Sequence, residues 1–254
     1  MSQHCARVIP LSMSSLQAVF WDVDGTLADT EMDGHRPAFN AAFQDLKLPF
    51  TWDEPLYAEL LAIPGGLRRV QHYAMSLGLE LSAEQIDQIR DRKRVHYRQR
   101  ALEGAIRLRT GVERTLGELH KLGIDQWIVT SSGSASVDAL FSGQKGLERH
   151  FRGIVTADDV RSGKPAPDGY LEAHRRSGYH AGSILTMEDS LAGLQASRAA
   201  GLCCLLTPSP WEAELAASFN EAAAAFDHLG DPDQPMHQLS GPPCAGAKVT
   251  VEYL

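Results

Sequence analysis

The fold is decided by Leu16-Gln17-Ala18-Val19-Phe20-Trp21-Asp22-Val23-Asp24-Gly25-Thr26-Leu27-Ala28-Asp29-Thr30. In this stretch an apolar run, Ala18 to Trp21, ends abruptly in carboxylates. Such a run is typical of a strand that is buried on both faces of a parallel sheet and carries polar residues at its carboxyl edge. We therefore predict a parallel sheet with functional chemistry at the end of this strand.

The two aspartates of this stretch suit a metal site. Asp22 and Asp24 are two positions apart, so their side chains leave an extended chain on the same side, and Gly25 permits a sharp turn after them. Carboxylates this close repel each other, and an all-oxygen ligand set favours Mg²⁺ over a transition metal. An EF-hand is excluded because Leu27 and Asp33 stand where that loop needs glycine and glutamate. The alternative is a solvated acidic loop.

Composition limits the possible partners and compartments. A net charge of −8 opposes non-specific attraction to nucleic acid and anionic membranes, so we expect neither as a partner. No apolar run approaches the roughly 18 residues of a membrane span. The cysteines lack metal-ligand spacing and favour a reducing, cytoplasmic location. With 43% hydrophobic residues, the 254-residue chain can bury a full core, and we expect a monomer.

The residues after the first strand have helical spacing. Pro37 can occupy the first turn of a helix that ends before Pro49, and further helices are predicted at about 53–61, 66–78 and 82–103. A helical block between two strands predicts an inserted α-helical cap domain. Its basic stretch, Arg90 to Arg100, is interpreted as a solvated helix face because the charges surround the helix.

Strands and helices alternate again from Gly111. We predict strands at 126–129, 153–156, 183–187 and 202–206, followed by a weaker helix and a strand up to Phe226. This order predicts right-handed crossovers and an α/β fold with a Rossmann-like parallel sheet core. We assign residues 15–32 and 106–230 to a core domain and residues 33–105 to a cap domain. Residues 1–14 are predicted to be a disordered leader, with Met13 as an alternative start, and residues 231–254 form a C-terminal tail. We expect the tail to pack loosely, with weak strand character at 248–253.

The strand ends carry residues suited to phosphoryl transfer. Asp22 is the candidate nucleophile for in-line attack on phosphorus, and Asp24 is the candidate general acid for the leaving alcohol and then the base for water. Thr130 and the amides that follow it, beginning with Ser131, precede a helix and can donate to phosphate oxygens. A plain helix N-cap is the competing interpretation of this Thr-Ser-Ser-Gly loop.

Two later loops add a cation and further oxygens. Pro165 biases Lys164 to an extended conformation that fixes where its ammonium points, although a surface lysine is the alternative. Glu188 and Asp189 end another apolar strand and, with the first aspartates, complete a candidate oxygen cage for Mg²⁺. A helix cap by Ser190 or Asp189 is compatible with that role. Asp168 is interpreted as a helix N-cap.

These residues form a pattern known from one family. Asp22-Val23-Asp24-Gly25-Thr26, Thr130, Lys164 in Gly-Lys-Pro-Ala-Pro-Asp, and Glu188-Asp189-Ser190 stand in the order of the haloacid dehalogenase superfamily of aspartyl-phosphate hydrolases, which the chain resembles. The helical insertion is similar to the cap of its phosphoglycolate phosphatase and β-phosphoglucomutase branch. The resemblance implies a Mg²⁺-dependent phosphatase acting on a small phosphorylated sugar.

Within that branch the chain resembles CbbY-type phosphatases in three segments: 29–36, 52–66 and 226–232. The resemblance implies hydrolysis of xylulose-1,5-bisphosphate. It places contacts to the sugar and its second phosphate on cap residues. These are Glu31, His35, Arg36, Tyr57, Gly66 and Arg69.

The chain departs from the pattern at two positions. Leu67 stands where such sequences often carry lysine, which bears on the exact bisphosphate, and Thr110 replaces a proline before Gly111 at the second hinge. Two other functions stay open: a β-phosphoglucomutase, which would produce an isomerised sugar phosphate, and a catalytically idle binding module, which would release no phosphate.

Overall fold

Seven strands form one sheet in the described part of the chain, residues 16–63 and 65–254 of a computed structural model. The strands are β1 (Ala18–Trp21), β2 (Asp125–Val129), β3 (Gly153–Val155), β4 (Ile184–Glu188), β5 (Cys203–Leu206), β6 (Ala224–Phe226) and β7 (Gln238–Ser240). The order across the sheet is β3-β2-β1-β4-β5-β6-β7, and all neighbours pair in parallel except β6 and β7, which pair antiparallel. The predicted leader, 1–14, lies outside the described residues.

Strand β1 is an inner strand of the sheet, between β2 and β4, and its position explains where a site can form. Its four residues are fully buried, and Phe20 pairs in register with Trp127 on one side and Thr186 on the other. Chain order reverses between β1 and β4, because β1 continues to β2 and β3 on one side of the sheet while β4, β5 and β6 fill the other. Ligands of open α/β sheets bind at the carboxyl ends of strands beside such a reversal.

The chain divides into two compact units. The core unit contains the described residues up to Ala28, with Leu108–Asp138 and Lys145–Leu254. The cap unit contains Asp29–Arg107 and Ala139–Gln144, so the helix at Ser134–Gly143 contributes to both. The helices are α1 (Arg36–Asp45), α2 (Glu54–Leu60), α3 (Gly66–Ser76), α4 (Ala83–Leu102), α5 (Val112–Lys121), α6 (Ser134–Gly143), α7 (Asp168–Ser177) and α8 (Leu191–Ala199).

The cap unit is helical because its apolar residues repeat at helical spacing. A π-helix, Thr30–His35, leads directly into α1, whose first turn contains Pro37 as predicted. Trp52 is fully buried and contacts the rings of Phe39, Phe43, Tyr57 and Tyr73. Helix α4 begins with a capping box in which the Ser82 and Gln85 side chains bond each other's backbone amides. The helices predicted after Pro49 are thus confirmed within a few residues.

Three expectations for the core unit are wrong. The tail does not pack loosely, because Val249, Val251 and Leu254 are buried and β7 pairs with β6. Its strand lies at Gln238–Ser240, whereas 248–253 forms no strand. Asp168 does not cap helix α7. It is the first helical residue, and no side chain in the described part of the chain bonds the helix start.

Two further details refine the core. The weak helix before β6 is a 3₁₀-helix over Ala213–Glu221. Ser190 caps α8 by accepting a hydrogen bond from the amide of Gly193, as the sequence suggested. Within residues 16–63 and 65–254, every helix is too short or too polar to cross a bilayer.

Candidate active site

One buried lysine joins three strand ends at the carboxyl edge of the sheet. The Nζ of Lys164 lies 2.5 Å from Oδ1 of Asp22 and 2.7 Å from Oε1 of Glu188. It also donates to the carbonyl of Val129 at the end of β2, at 2.9 Å. The Glu188 side chain is fully buried, and those of Asp22 and Lys164 are nearly so. The ammonium therefore contacts the ends of β1, β2 and β4 at once.

The strand register produces this arrangement. Asp22 directly follows β1 and donates its amide to the carbonyl of Met187 in β4, at 3.0 Å. Glu188 is the last residue of β4 and Asp189 the next, so both follow the strand that pairs with β1. Parallel strands end at the same edge of a sheet, and their terminal carboxylates consequently lie together.

Two glycines permit the close packing around these carboxylates. Gly25 has φ +84°, and a Cβ built on it would lie 2.1 Å from Oδ2 of Asp189. A Cβ on Gly193, in the first turn of α8, would lie 1.8 Å from Oε2 of Glu188. No side chain fits at either position while the carboxylates keep their places. The backbone of both segments therefore forms part of the site wall.

Burial and charge alter the acidity of the clustered groups. Burial raises the pKa of Asp22 to about 7, against the opposing effect of Lys164. Burial likewise raises the pKa of Asp189 well above its ordinary value, with added repulsion from Asp22 and Glu188. Burial lowers the pKa of the Lys164 ammonium, but its two carboxylate partners outweigh that effect and raise it overall. Lys164 therefore stays charged. An additional cation nearby would stabilise the ionised form of the carboxylates.

The residues present fit a hard divalent cation. Ligand atoms of Asp22, Glu188 and Asp189 all lie within 4.8 Å of one another. Oε2 of Glu188 is buried and has no hydrogen-bond partner among the described residues. Carboxylate oxygens at this spacing suit Mg²⁺, which is bound through a few carboxylates together with substrate phosphate. Asp24, which the sequence also predicted as a ligand, is not part of this cluster.

Asp24 instead contacts the loop that follows β2. Ser132 donates its hydroxyl to Oδ2 of Asp24, and its amide donates to Oγ1 of Thr130 at 3.0 Å. Thr130 is buried, whereas Ser131 is exposed beside Gly163. The last residue of this loop, Gly133, directly precedes α6 and accepts a hydrogen bond from the amide of Ser136, so the loop also begins a helix, as the competing interpretation proposed. Asp158 accepts from the amide and hydroxyl of Ser134 at the same helix start.

Three of the six predicted cap residues form one hydrogen-bonded group. Tyr57 donates its hydroxyl to Glu31 at 2.6 Å, and Nη1 of Arg69 donates to the Tyr57 hydroxyl at 3.2 Å and lies 3.7 Å from Glu31. Nε of Arg69 is held by the carbonyl of Ile63 at 2.9 Å. The Tyr57 ring is buried, and burial together with Glu31 raises the pKa of its hydroxyl. These contacts hold the guanidinium of Arg69 in one orientation.

The other three predicted cap residues lie in different surroundings. Arg36 is bonded to Glu54 and to the carbonyl of Trp52, and Gly66 packs against the ring of Phe39. His35 stacks near Tyr97, and its Nδ1 lies 2.9 Å from Nζ of Lys93. Lys93 also lies over the rings of Phe39 and Tyr97, so this part of the basic helix is not a simple solvated face.

Sequence reasoning missed two side chains that contact the predicted site. Ser132 bonds Asp24, and the fully buried Tyr170 donates its hydroxyl to Glu188. Ser132 lies within the Thr-Ser-Ser-Gly motif, so its position after a predicted strand was a usable signal. Tyr170 had none, because its place in α7 matches the pattern of an ordinary core aromatic residue.

Comparisons with known proteins identify relatives along most of the chain. A family model for haloacid dehalogenase-like hydrolases matches residues 16–201. Protein CbbY, plasmid, from Cupriavidus necator is 40% identical over 230 residues, covering 88% of this chain and 89% of that protein. Protein CbbY from Rhodobacter capsulatus is 37% identical over 198 residues, covering 77% of this chain and 87% of that protein.

Solved structures of CbbY from Rhodobacter sphaeroides share the fold. The complex with phosphate has a TM-score of 0.67 at 32% identity and covers 78% of this chain and 88% of that chain. A mutant in complex with xylulose-1,5-bisphosphate has the same TM-score and identity and covers 78% of this chain and 89% of that chain.

Proposed function

The chain belongs to the haloacid dehalogenase-like hydrolases, and on that premise we propose that it is a Mg²⁺-dependent phosphatase of xylulose-1,5-bisphosphate or a closely related sugar bisphosphate. That it is a phosphatase follows from the family and its CbbY relatives. The observation that carries the finer proposal is the buried group of Lys164 with Asp22, Glu188 and Asp189 at the carboxyl edge of the sheet.

Asp22 is proposed as the nucleophile. Its carboxylate oxygen forms a bond to phosphorus while the bond from phosphorus to the sugar oxygen breaks. Asp24 gives a proton to the departing oxygen and later takes one from the water that attacks the aspartyl phosphate, which frees Asp22 and inorganic phosphate. The hydroxyl of Ser132 holds the carboxylate of Asp24 in one orientation.

The surrounding groups balance the negative charge of the transferred phosphoryl group. A Mg²⁺ ion held by Asp22, Glu188 and Asp189 would offset charge on the phosphoryl oxygens. Lys164 contributes a second positive charge at the same strand ends and fixes Asp22 for in-line approach. Thr130 and Ser131 are proposed donors to the phosphoryl oxygens.

The second phosphate requires cationic groups away from the metal. Arg69 is the best candidate in the cap unit, because Ile63, Tyr57 and Glu31 hold its guanidinium in place. A planar, fixed guanidinium suits a phosphate dianion. The complex of the CbbY relative with xylulose-1,5-bisphosphate supports the choice of substrate. Glu31, His35, Arg36, Tyr57 and Gly66 remain proposed contacts to the sugar and its second phosphate.

The test is phosphate release from a set of sugar monophosphates and bisphosphates with Mg²⁺, ranked by kcat/KM, for wild type and Asp22→Asn. We expect xylulose-1,5-bisphosphate to rank first and Asp22→Asn to lose at least about a thousandfold in kcat. A hexose monophosphate in first place would overturn the substrate. Isomerised sugar phosphate as product would indicate a mutase, and no release by wild type would indicate an idle binding module.

A further inference from the structure

Arg109 binds four backbone carbonyls in the core unit with one guanidinium. Its Nη1 donates to the carbonyls of Gly25 and Thr207, and its Nη2 donates to those of Pro208 and Asp227 at 3.0 and 2.9 Å. Its own amide donates to the carbonyl of Leu27 at 2.9 Å. Three chain segments that are distant in sequence are thereby joined by one side chain.

Two of these segments are linked through the backbone to residues that carry the carboxylates of the site. Gly25 follows Asp24 along the chain. On the other side, the amide of Thr207 donates to the carbonyl of Glu188 at 2.7 Å, and the amide of Ser209 donates to that of Asp189 at 3.2 Å. The guanidinium therefore bridges the loop after β1 and the segment that holds the end of β4.

The loop after β1 and the Asp189 side chain are closely packed where the Arg109 side chain bridges the two segments. The Cα of Gly25 lies so close to Asp189 that a Cβ would be 2.1 Å from its Oδ2. Oγ1 of Thr26 lies 3.4 Å from Oδ1 of the same carboxylate. A small shift of the Gly25 carbonyl consequently changes the distance between the aspartates after β1 and Asp189.

We propose that Arg109 is a positioning residue that sets the spacing between the Asp22 loop and Asp189, and through it the affinity of the carboxylate cluster for a divalent cation. The inference rests on the proposed function, because that function requires the cation. The guanidinium of arginine has five N–H donors spread over a planar group, so it can bond four carbonyls on separate segments. The ammonium of lysine has three donors on a single nitrogen. Charge alone is therefore insufficient for this role.

Arg114 provides a matched control in the same unit. It also donates to backbone carbonyls, those of Leu229 and Gly230, and pairs with Glu118 and Asp231. Its side chain is 14% exposed. None of the contacts described for it involves the segments that carry the carboxylate cluster. Loss of the Arg114 side chain is expected to remove a comparable set of hydrogen bonds to backbone carbonyls without changing the spacing of the carboxylate cluster.

The experiment measures Mn²⁺ binding by electron paramagnetic resonance, without substrate, for wild type, Arg109→Met, Arg109→Lys and Arg114→Met. We expect the Kd for Mn²⁺ to rise at least about tenfold in Arg109→Met and by a smaller factor in Arg109→Lys, a difference of about 1.4 kcal/mol or more for the first. Arg114→Met is expected to change the Kd less than about twofold, even where its Tm falls.

A second readout follows the backbone itself. Hydrogen exchange of the peptides covering residues 23–28 and 205–210 is expected to accelerate in Arg109→Met and to stay unchanged in Arg114→Met. Equal Mn²⁺ affinity in wild type and a folded Arg109 variant overturns the proposal, as does an equal loss in both arginine variants. If Arg109→Met does not fold, the same criteria apply to Arg109→Lys. Phosphate release is scored separately, so a wild type that binds Mn²⁺ without releasing phosphate refutes only the proposed function.

Discussion

Tyr170 donates its buried hydroxyl to Oε1 of Glu188, the same oxygen that lies 2.7 Å from the ammonium of Lys164. In Tyr170→Phe this oxygen keeps one partner and loses a charge-assisted bond, so we expect the free energy of unfolding to fall by about 1.5–3 kcal/mol. Phosphate release is expected to decrease as well. Urea unfolding and steady-state kinetics measure the two effects.

The control for this variant is Tyr179→Phe. Tyr179 also donates to a carboxylate, Oδ2 of Asp125, but at the opposite end of β2 and at 2.6 Å. It is expected to affect stability alone. Equal loss of activity in the two variants would contradict a specific role for Tyr170.

Lys164→Met is expected to destabilise the fold and stop the reaction. The variant leaves Asp22 and Glu188 buried without their cation, which costs about 3 kcal/mol or more in comparable buried pairs. We expect kcat to fall at least about a hundredfold. Adding Asp22→Asn to this variant removes one of the unpaired charges and is expected to recover part of the stability. Chemical denaturation of both variants, with exposed Lys145→Met as the control, tests this, and a loss below about 0.5 kcal/mol would contradict it.

Mg²⁺ is expected to stabilise the folded chain. A cation that binds the Asp22, Glu188 and Asp189 cluster of the native state alone raises the free energy of unfolding by about 2.7 kcal/mol at one hundred times its Kd. Calorimetry with Mg²⁺ and with a chelator measures the difference. Asp189→Asn is expected to remove most of it, whereas Asp158→Asn, which alters an acid bonded to Ser134, is expected to retain it. A Mg²⁺ effect of unchanged size in Asp189→Asn would place the cation elsewhere.

Arg69→Ala is expected to reduce the preference for a second phosphate. Loss of a charge-assisted contact of about 1.5–3 kcal/mol lowers kcat/KM for the bisphosphate by about 10- to 150-fold and affects a matching monophosphate much less. The exposed neighbour Arg68 supplies the control variant, Arg68→Ala. A uniform decrease for both substrates would show that Arg69 supports the cap unit and does not bind phosphate.

Val249→Ala tests whether the tail contributes to stability. The side chain of Val249 is fully buried, and its amide donates to the carbonyl of Leu229 at 2.9 Å. Its truncation is expected to lower the free energy of unfolding by about 2 kcal/mol. Val95→Ala, at a position that is 61% exposed, is expected to change it by less than about 0.5 kcal/mol. Similar values for the two variants would contradict a packed tail.

Much of the core could be predicted because its signals are local. A continuous apolar run that ends in carboxylates specifies β1, and the rule that parallel strands end at one edge brings Asp22, Glu188 and Asp189 together without any long-range information. The cap helices follow from their spacing and from breaks at proline and glycine. These features need knowledge of only a few neighbouring residues.

The remaining features depend on contacts between distant segments. Tyr170 and Arg109 gain their roles from partners 18 to 118 residues away, and nothing in their own neighbourhood marks them. The tail was misjudged for the same reason. Its prolines and glycines suggest irregular chain, yet two buried valines and a short strand attach it to the sheet. A composition rich in proline and glycine indicates that the isolated segment is irregular. It does not indicate whether the segment packs against another part of the protein.

The antiparallel pairing of β7 with β6 has a consequence for the solubility of shortened forms. Parallel pairing from β3 to β6 would otherwise leave Ala224–Phe226 as an outer strand with unpaired amides and carbonyls, all three residues being apolar. Such an outer strand is a template for pairing with another molecule. A protein truncated after Gly230 is therefore expected to self-associate as its concentration rises, even where the residues for phosphoryl transfer remain intact.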